Sequence, residues 1–585
     1  MRTKLSIGGT AGCIVAARLA DADPNLSVLV IECGPNGVGN PAVDYPALFL
    51  SHLLPGAKTT LTYKSKKSEN LVDREVAVQS GGVLGGGSAM NMMMYSRAQR
   101  SDFDSWQTPG WSADELLPYM KKLETYHGPG PKGRHGYDGP IHVSGGTYCA
   151  KRFQDDFIAA MNKVGYPELE DFGSLDANNG VQRAMHYISP DGKRQDTASR
   201  YLHPRLQDDQ HPNLNVVVES RVVRVLVEGK RATGVVYKSR TQDTERSIKA
   251  RQMVVVSCGA LGTPSVLERS GIGNTDILRR AGVDRVVANV PGVGHEYHDH
   301  NLIVCPYKSS LTPEETLDGL FSGKLDPGHL IQTNDRILGW NAQDVTCKLR
   351  PNDSEVASLG PEFQEAWNKE FKDNTNRPLL MMSPLNCFPG EPTGVPAGQY
   401  FGISAFLVYP FSRGYMHITG PRLDDPLDFE TGFLSDEQGL DLKSLRWTYK
   451  KQREVARRME VFRGELASGH PPFPKASKAV CIDTDGPLAD IRDIEYSAED
   501  DAIIDQWVRE NVGSTWHSLG TCRMAPMQKM GVVDENLSVY GVEGLKIADL
   551  SIVPHNIGAN TNNTALVVGE KAADIFIREL GLGKE

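Results

Sequence analysis

No stretch of this 585-residue chain approaches the roughly 18–20 consecutive apolar residues that a membrane-spanning helix needs, which excludes a membrane span of that kind. The first residues, Met1 to Gly9, hold too short an apolar region for a secretory signal. No C-x-x-C pair occurs, and the nine cysteines are odd in number and singly scattered. They read as reduced thiols of an intracellular protein, not as a disulfide frame or a zinc site. Runs of Lys and Arg are also missing. Acidic residues outnumber basic ones 73 to 63, for a formal charge of −10, which disfavours nucleic acid or an anionic membrane as partner. Repeats and low-complexity tracts are absent. What is present, 39% hydrophobic and 23% charged residues with 58 glycines, is ordinary globular composition and rules out collagen-like, coiled-coil and mainly disordered chains. The length leaves room for more than one domain or layer.

The first thirty-odd residues read as a βαβ unit. A short apolar start, Leu5 to Ile7, meets a Gly8-Gly9-Thr10-Ala11-Gly12 turn, then helical spacing to Ala22, then the continuous apolar run Ser27–Ile31 of a buried parallel strand. Further on, Asn215–Val218, Val222–Val227 and Thr233–Tyr237 read together as a β-meander, and Met253–Ser257 as another buried strand. Residues 311–377 are polar, with one helical patch near Phe363–Phe371, and read as an insertion. Arg446–Leu466 has helical composition. Asp424-Asp425 and Asp500-Asp501 read as solvated turns. Strands alternating with helices, followed by a β-rich middle, predict an α/β fold with a second sheet-bearing domain.

A Gly-rich turn between strand and helix lets backbone N–H groups approach a pyrophosphate, and Glu32, about twenty residues on from Gly12, sits where an acid accepts hydrogen bonds from a ribose. The fingerprint is imperfect: Gly9 and Gly12 fill its second and third glycine positions, but Ile7 stands at the first. A β-branched residue suits a tight turn badly. The expectation is a strained turn that weakens cofactor binding. The pattern alone does not separate a nicotinamide from a flavin.

Two longer stretches narrow the choice. Gly81-Gly-Val-Leu-Gly-Gly-Gly-Ser-Ala-Met-Asn91 through Ala98, ending in Asp102-Phe-Asp104, resembles the first signature of the glucose–methanol–choline (GMC) flavin oxidoreductases. Gly259-Ala-Leu-Gly-Thr-Pro264 through Gly273 resembles the second. Gly82 departs from the first, where the family usually has a basic or amide residue. His135-Gly136, Thr197 to Leu202 and Pro291 to His300 fit the same family. Within it, Met93 to Arg97, Tyr409 to Gly414, Thr515 to Cys522 and Ala548 to Pro554 look most like fungal alcohol (methanol) oxidases.

The resemblance implies a GMC fold: a Rossmann-like FAD-binding domain with a second, antiparallel-sheet substrate domain. It assigns residues 1–150 and 211–300 to the FAD domain, 151–210 and 301–480 to the substrate domain, and 481–585 to a C-terminal segment that carries the catalytic residues. FAD contacts map to Gly9, Gly12, Glu32, Val222 (through its backbone, to adenine) and Asp549, with Gly85, Asn91 and Met92 along the pyrophosphate and flavin and Trp516 beside the pocket. The catalytic histidine maps to His517 and its partner to Asn560, with Asn562 and Asn563 as alternative alignments. A base near neutrality suits removal of a hydroxyl proton as hydride leaves the carbinol carbon, and Asn560 can donate to the same oxygen.

The implied activity is oxidation of a small primary alcohol to an aldehyde, with O2 becoming hydrogen peroxide. A dehydrogenase using another acceptor and a flavin-less relative with a binding role remain alternatives. His295, His298 and His300 superficially suggest a metal site, but the family places an ordinary Asp-His pair there and no metal. Met92 replaces a frequently aromatic residue, so alcohols larger than methanol should be tolerated, in a pocket bounded by Met92, Trp516, His517 and Asn560 with part of 311–400 as a lid. The end, Leu582 to Glu585, is not a peroxisomal S-K-L tripeptide. The expectation is therefore a cytoplasmic location, with peroxisomal delivery by a partner as the alternative. Whether the chain forms a homo-oligomer is left open.

Overall fold

The computed structural model describes residues 2–242, 244–390 and 393–582. Met1 and the final tripeptide, on which the localisation expectation partly rests, lie outside the described residues. Two sheets organise the chain. The first is parallel and runs in the order Leu545–Ile547, Val254–Val256, Arg2–Ile7, Leu26–Ile31, Leu214–Val217. Helix Thr10–Ala22 links two of its strands, and it is buried almost all round because helix Asn562–Glu579 crosses its other face. Small residues make that crossing close: a Cβ on Gly569 would stand 3.0 Å from Cβ of Ile14 and 3.1 Å from Cα of Ala11. Arg18 and the buried Glu570 lock the pair with a contact of 2.7 Å.

The second sheet is antiparallel, in the order Phe462–Glu465, Asn301–Ser309, Tyr400–Leu407, Leu380–Leu385, Val345–Leu349, Gly180–Arg183, with Gly513–Ser514 added at the start of Asn301–Ser309. One face of this sheet closes the cavity described below. Among the described residues no helix is long and apolar enough to cross a membrane, and all nine cysteines are unpaired.

Four expectations need correction. The Asn215–Val218 run is not part of the meander; its strand, Leu214–Val217, closes the parallel sheet beside Leu26–Ile31, and the meander is Ser220–Glu228, Arg231–Ser239 and Glu245–Lys249. Residues 311–377 are not an insertion, because they contain Val345–Leu349, a wholly buried central strand of the antiparallel sheet. Asp500 is no solvated turn: it caps helix Ala498–Asn511 in a reciprocal pair with Ser497 and also accepts from Ser477. Its neighbour Asp501 pairs with Arg446. Ile7, finally, ends a strand in register with Ile31, in the extended backbone that β-branched residues favour. The left-handed position of the turn falls two residues later, on Gly9 at φ +121°, so the expected strain at Ile7 is withdrawn.

Candidate active site

A single continuous cavity runs from the glycine turn to the antiparallel sheet. At one end it is made of backbone. Helices Thr10–Ala22, Gly259–Arg269 and Asn562–Glu579 all present their first residues to it, and none has an acid in its first turn. Three helix N-termini aimed at one space bring partial positive charge to it, a standing preference for an anion, although Asp549 already takes the Gly259 N–H. Glycine is required here by contact as well as conformation. A Cβ on Gly9 would lie 2.8 Å from the Ser257 carbonyl oxygen, and one on Gly86 (φ +56°) would lie 2.9 Å from Cα of Gly9. A Cβ on Gly8 would instead press on the Glu32 carboxyl, a side chain that could shift only by leaving its place at this end.

Glu32 lines this end, buried, accepting from the backbone N–H of Gly34 at 2.9 Å and from the Cys33 thiol at 3.1 Å. Burial pushes its carboxyl up to about 7. Among the described residues no cation forms an ion pair with it, so hydroxyl donors from a ligand would be its natural partners. Val222 lines the same end. Asp549 accepts from the N–H of Gly259 at 2.9 Å, from Thr263 at 2.6 Å and from the N–H of Ser551 at 2.8 Å, which fixes the start of helix Gly259–Arg269. Anionic phosphates on the helix termini and ribose hydroxyls on Glu32 fit this donor and acceptor set; the end is built for a dinucleotide.

Midway, Asn91, Met92 and Trp516 line the wall. The buried Arg194 holds the first of these, donating to the Asn91 carbonyl at 2.7 Å and to its side-chain oxygen at 3.1 Å. Two of the expected contact residues stand behind the wall. Gly12 is buried in helix Thr10–Ala22, and Gly85 turns its carbonyl onto Thr10 (3.0 Å) and Ser88 (2.7 Å), leaving Gly86 and Gly87 to face the cavity.

The far end is made of side chains. His517 Nε2 and Asn560 Nδ2 approach to 3.5 Å. Ser96 sets the orientation of Asn560: its hydroxyl donates to Asn560 Oδ1 at 3.0 Å and accepts from the Asn560 backbone N–H at 3.0 Å. With its oxygen engaged, the amide presents N–H to the cavity. Ser96 itself is flanked by Tyr95 and Arg97, which anchor on the buried Glu124 at 2.9 and 2.6 Å. Of the alternative alignments, Asn562 lines the cavity, whereas Asn563 is buried and donates to Tyr187 at 3.0 Å.

Behind His517 the protonation pattern can be followed atom by atom. Asn556 Oδ1 accepts from the backbone N–H of Ile557 at 3.0 Å, and its Nδ2 donates to the Asp299 carbonyl at 3.3 Å, so its oxygen faces His300. His300 Nε2 must then donate to that oxygen (2.7 Å), which leaves Nδ1 of neutral His300 as an acceptor. His517 Nδ1 lies 2.9 Å from it and must be the donor. The lone pair of neutral His517 therefore sits on Nε2, facing Asn560. Burial holds His300 down to about 4 and His517 well below the ordinary imidazole value, with the neighbouring His300 as a second cause for His517. The His517 backbone N–H donates to Asp299 at 3.0 Å, and burial pushes that carboxyl up to about 6.

Sequence reasoning named the Asp-His pair at 299–300 but did not tie it to His517, and it missed Asn556, Ser96 and Arg194. The pairs His300–His517 and Ser96–Asn560 are hundreds of residues apart, and no local spacing could reveal them. Among the described residues there is no group of three or more His, Cys, Asp or Glu placed to hold a metal. His300 and His298 do not converge on one: the first is spent on His517 and Asn556, and the second is buried with its ring 3.9 Å from Glu296.

Comparison with known proteins places the chain in a family. Models of the GMC oxidoreductase N- and C-terminal regions match residues 6–302 and 410–569. The chain is 38% identical to the alcohol oxidase of Candida boidinii and 37% identical to that of Pichia angusta, in each case over 98% of this chain and 94% of the relative. A variant of formate oxidase from Aspergillus oryzae superposes with a TM-score of 0.84 at 21% identity, covering 100% of this chain and 99% of that one. Pyridoxine 4-oxidase from Mesorbium loti gives 0.76 at 24% identity, with 100% of both chains covered. At those identities the two structures establish the fold. The chain belongs to the GMC oxidoreductases, the family whose cofactor is FAD, and it is an oxidoreductase of that fold.

Proposed function

We propose that this protein oxidises a primary alcohol to the aldehyde and passes the two electrons through FAD to O2, giving hydrogen peroxide. The observation that carries the proposal is the pairing at the far end of the cavity, where an unprotonated imidazole nitrogen and an amide N–H stand 3.5 Å apart on the cavity wall. An alcohol oxygen there gives its proton to His517 Nε2 and accepts from Asn560 Nδ2 as negative charge builds on it. Bound FAD supplies the hydride acceptor and the relay to O2. Gly9, Gly86, Gly87 and the three helix termini would hold its pyrophosphate, Glu32 the ribose, and Val222 the adenine side, with Asn91, Met92 and Trp516 along the flavin and Asp549 fixing the helix start.

Burial matters twice. It keeps His517 neutral before reaction, when a base is needed. Once the proton has arrived, the imidazolium beside the cavity favours the negative charge that develops on dioxygen. Electron balance is complete: the alcohol loses a hydride and a proton, and O2 gains two electrons and two protons. The likeness to alcohol oxidases at 36–38% identity supports the substrate class. The test is purified holoprotein mixed with methanol, propanol and benzyl alcohol. Bleaching of the visible flavin absorbance without oxygen, followed by equimolar aldehyde and peroxide under air, is the expected result. Bleaching with peroxide formed only in trace, and electrons going to an added quinone instead, would move the protein to the dehydrogenases.

A further inference from the structure

The antiparallel sheet meets the cavity through two rows of side chains fixed by register. Leu302, Phe406 and Met381 stand opposite one another across three strands, and Val304, Ser404 and Ser383 form the next row on the same face. The first row is apolar and adjoins the catalytic pair, since the Phe406 ring lies 5.6 Å from that of His517. The second row, two residues along each strand, is about 7 Å farther on and carries two hydroxyls. Gln343 faces this second row. Its side chain is buried, at 4% exposure, yet its contacts are weak: Nε2 donates to the Met92 thioether at 3.1 Å, and Oε1 lies 3.4 Å from the Ser383 hydroxyl, whose proton goes to the Val345 carbonyl at 2.7 Å. A thioether is a poor acceptor, so a buried amide with two N–H donors is left under-satisfied against the cavity.

We infer that Gln343, with Ser383 and Ser404, forms a subsite for a second hydroxyl, and that the preferred substrates are short primary alcohols carrying a neutral polar group about four bonds from the carbinol carbon. The length is taken from the row spacing: a carbinol held by His517 and Asn560 lies beside the first row, where the Phe406 ring is 5.6 Å from that of His517, and a four-carbon chain extends about one row farther. Neutrality follows from the lining: the charged cavity residues Glu32, Arg221, Arg269 and Asp549 all belong to the glycine end, and none stands beside Gln343. An aliphatic tail in the second row would leave the Gln343 amide without a strong acceptor, which a ligand hydroxyl would supply. Ser383 and Ser404, which donate to the Val345 and Ser383 carbonyls at 2.7 and 2.8 Å, keep lone pairs to accept from that hydroxyl.

This inference rests on the alcohol-oxidase reading, and its test separates the two. Steady-state kcat/KM is measured for 1,4-butanediol and for 1-pentanol, which have equal numbers of heavy atoms, with methanol alongside, in wild type and in Gln343→Leu. The expected ratio of diol to pentanol is about tenfold or more in wild type, falling to near one in Gln343→Leu. Because the ratio is taken within each protein, a general loss of activity or folding in the variant cancels, and the wild-type ratio stands by itself. A wild-type ratio at or below one overturns the subsite, as does a ratio that Gln343→Leu leaves unchanged; the latter assigns the amide to the flavin or to packing. Absence of flavin bleaching with all three alcohols overturns the oxidase reading itself, and with it the subsite.

Discussion

The two ends of the cavity are built from different materials. At the glycine end the ligand-facing groups are backbone N–H groups at three helix starts, kept open because glycines at 9 and 86 have no room for a Cβ against neighbouring backbone. At the sheet end they are side chains, each held by a second side chain: His517 by His300, His300 by Asn556, Asn560 by Ser96. A backbone site is insensitive to which side chains surround it but intolerant of added atoms. A side-chain site has the reverse weakness, because removing one hydrogen bond changes a tautomer or a rotamer and leaves the fold intact. Damage at the first end should therefore appear as lost cofactor, and damage at the second as lost rate on retained cofactor.

The strongest break in that contrast comes from His517→Ala. Flavin reduction by alcohol should slow by about 10²–10⁴-fold, the usual worth of a general base, with FAD content unchanged. Gly9→Ala acts on the other end. A non-glycine residue at φ +121° costs on the order of 1–3 kcal/mol, so FAD affinity should fall by roughly 5- to 150-fold, measured by dialysis, while turnover per bound flavin holds.

Asn556→Asp sharpens the proton assignment. A carboxylate facing His300 raises its pKa from about 4. Protonated His300 then donates from Nδ1 to His517 Nδ1, which forces the His517 proton onto Nε2 and removes the base. In wild type, burial lowers the His517 pKa, so the rate of flavin reduction should stay flat as pH falls through 6.5, the ordinary imidazole value, and drop only below it. In Asn556→Asp the acid limb should move to higher pH; an unmoved limb would refute the tautomer chain. Ser96→Ala is the mildest case. Loss of one hydrogen bond to Asn560 should cost about fivefold in kcat, with little change in FAD content.

How legible each region was in the sequence follows from the same contrast. The parallel sheet reads directly, because strands such as Leu26–Ile31 and Val254–Val256 are buried on both faces and run as unbroken apolar segments. The central strand Val345–Leu349 escaped notice because it carries Thr346 and Lys348 and follows Gln343 and Asp344. Such residues read as surface. In the fold Lys348 is fully buried, donating to the Arg97 carbonyl at 2.9 Å and to Gln99, and burial lowers its pKa to about 7. Polar partners contributed by the first signature let a lysine occupy the core, and neither segment alone discloses the other. His517 and Asn560 stand out as candidates only through motif resemblance. Their supports, Asn556, His300 and Ser96, depend on contacts between distant segments. That Gly86 and Gly87 line the cavity while Gly85 stands behind them is not legible either, because a run of three glycines does not say which of them turns away.

The two ends can be set against each other in one measurement: FAD content and anaerobic flavin-reduction rate per bound flavin, with a primary alcohol, for Gly9→Ala and His517→Ala prepared side by side with wild type. The account predicts opposite outcomes, with Gly9→Ala depleted of FAD but reduced at the wild-type rate, and His517→Ala replete with FAD but reduced at least about a hundredfold more slowly. Wild-type rates in His517→Ala, or a rate defect in Gly9→Ala as large as that of His517→Ala, would contradict the division of binding and chemistry between the two ends.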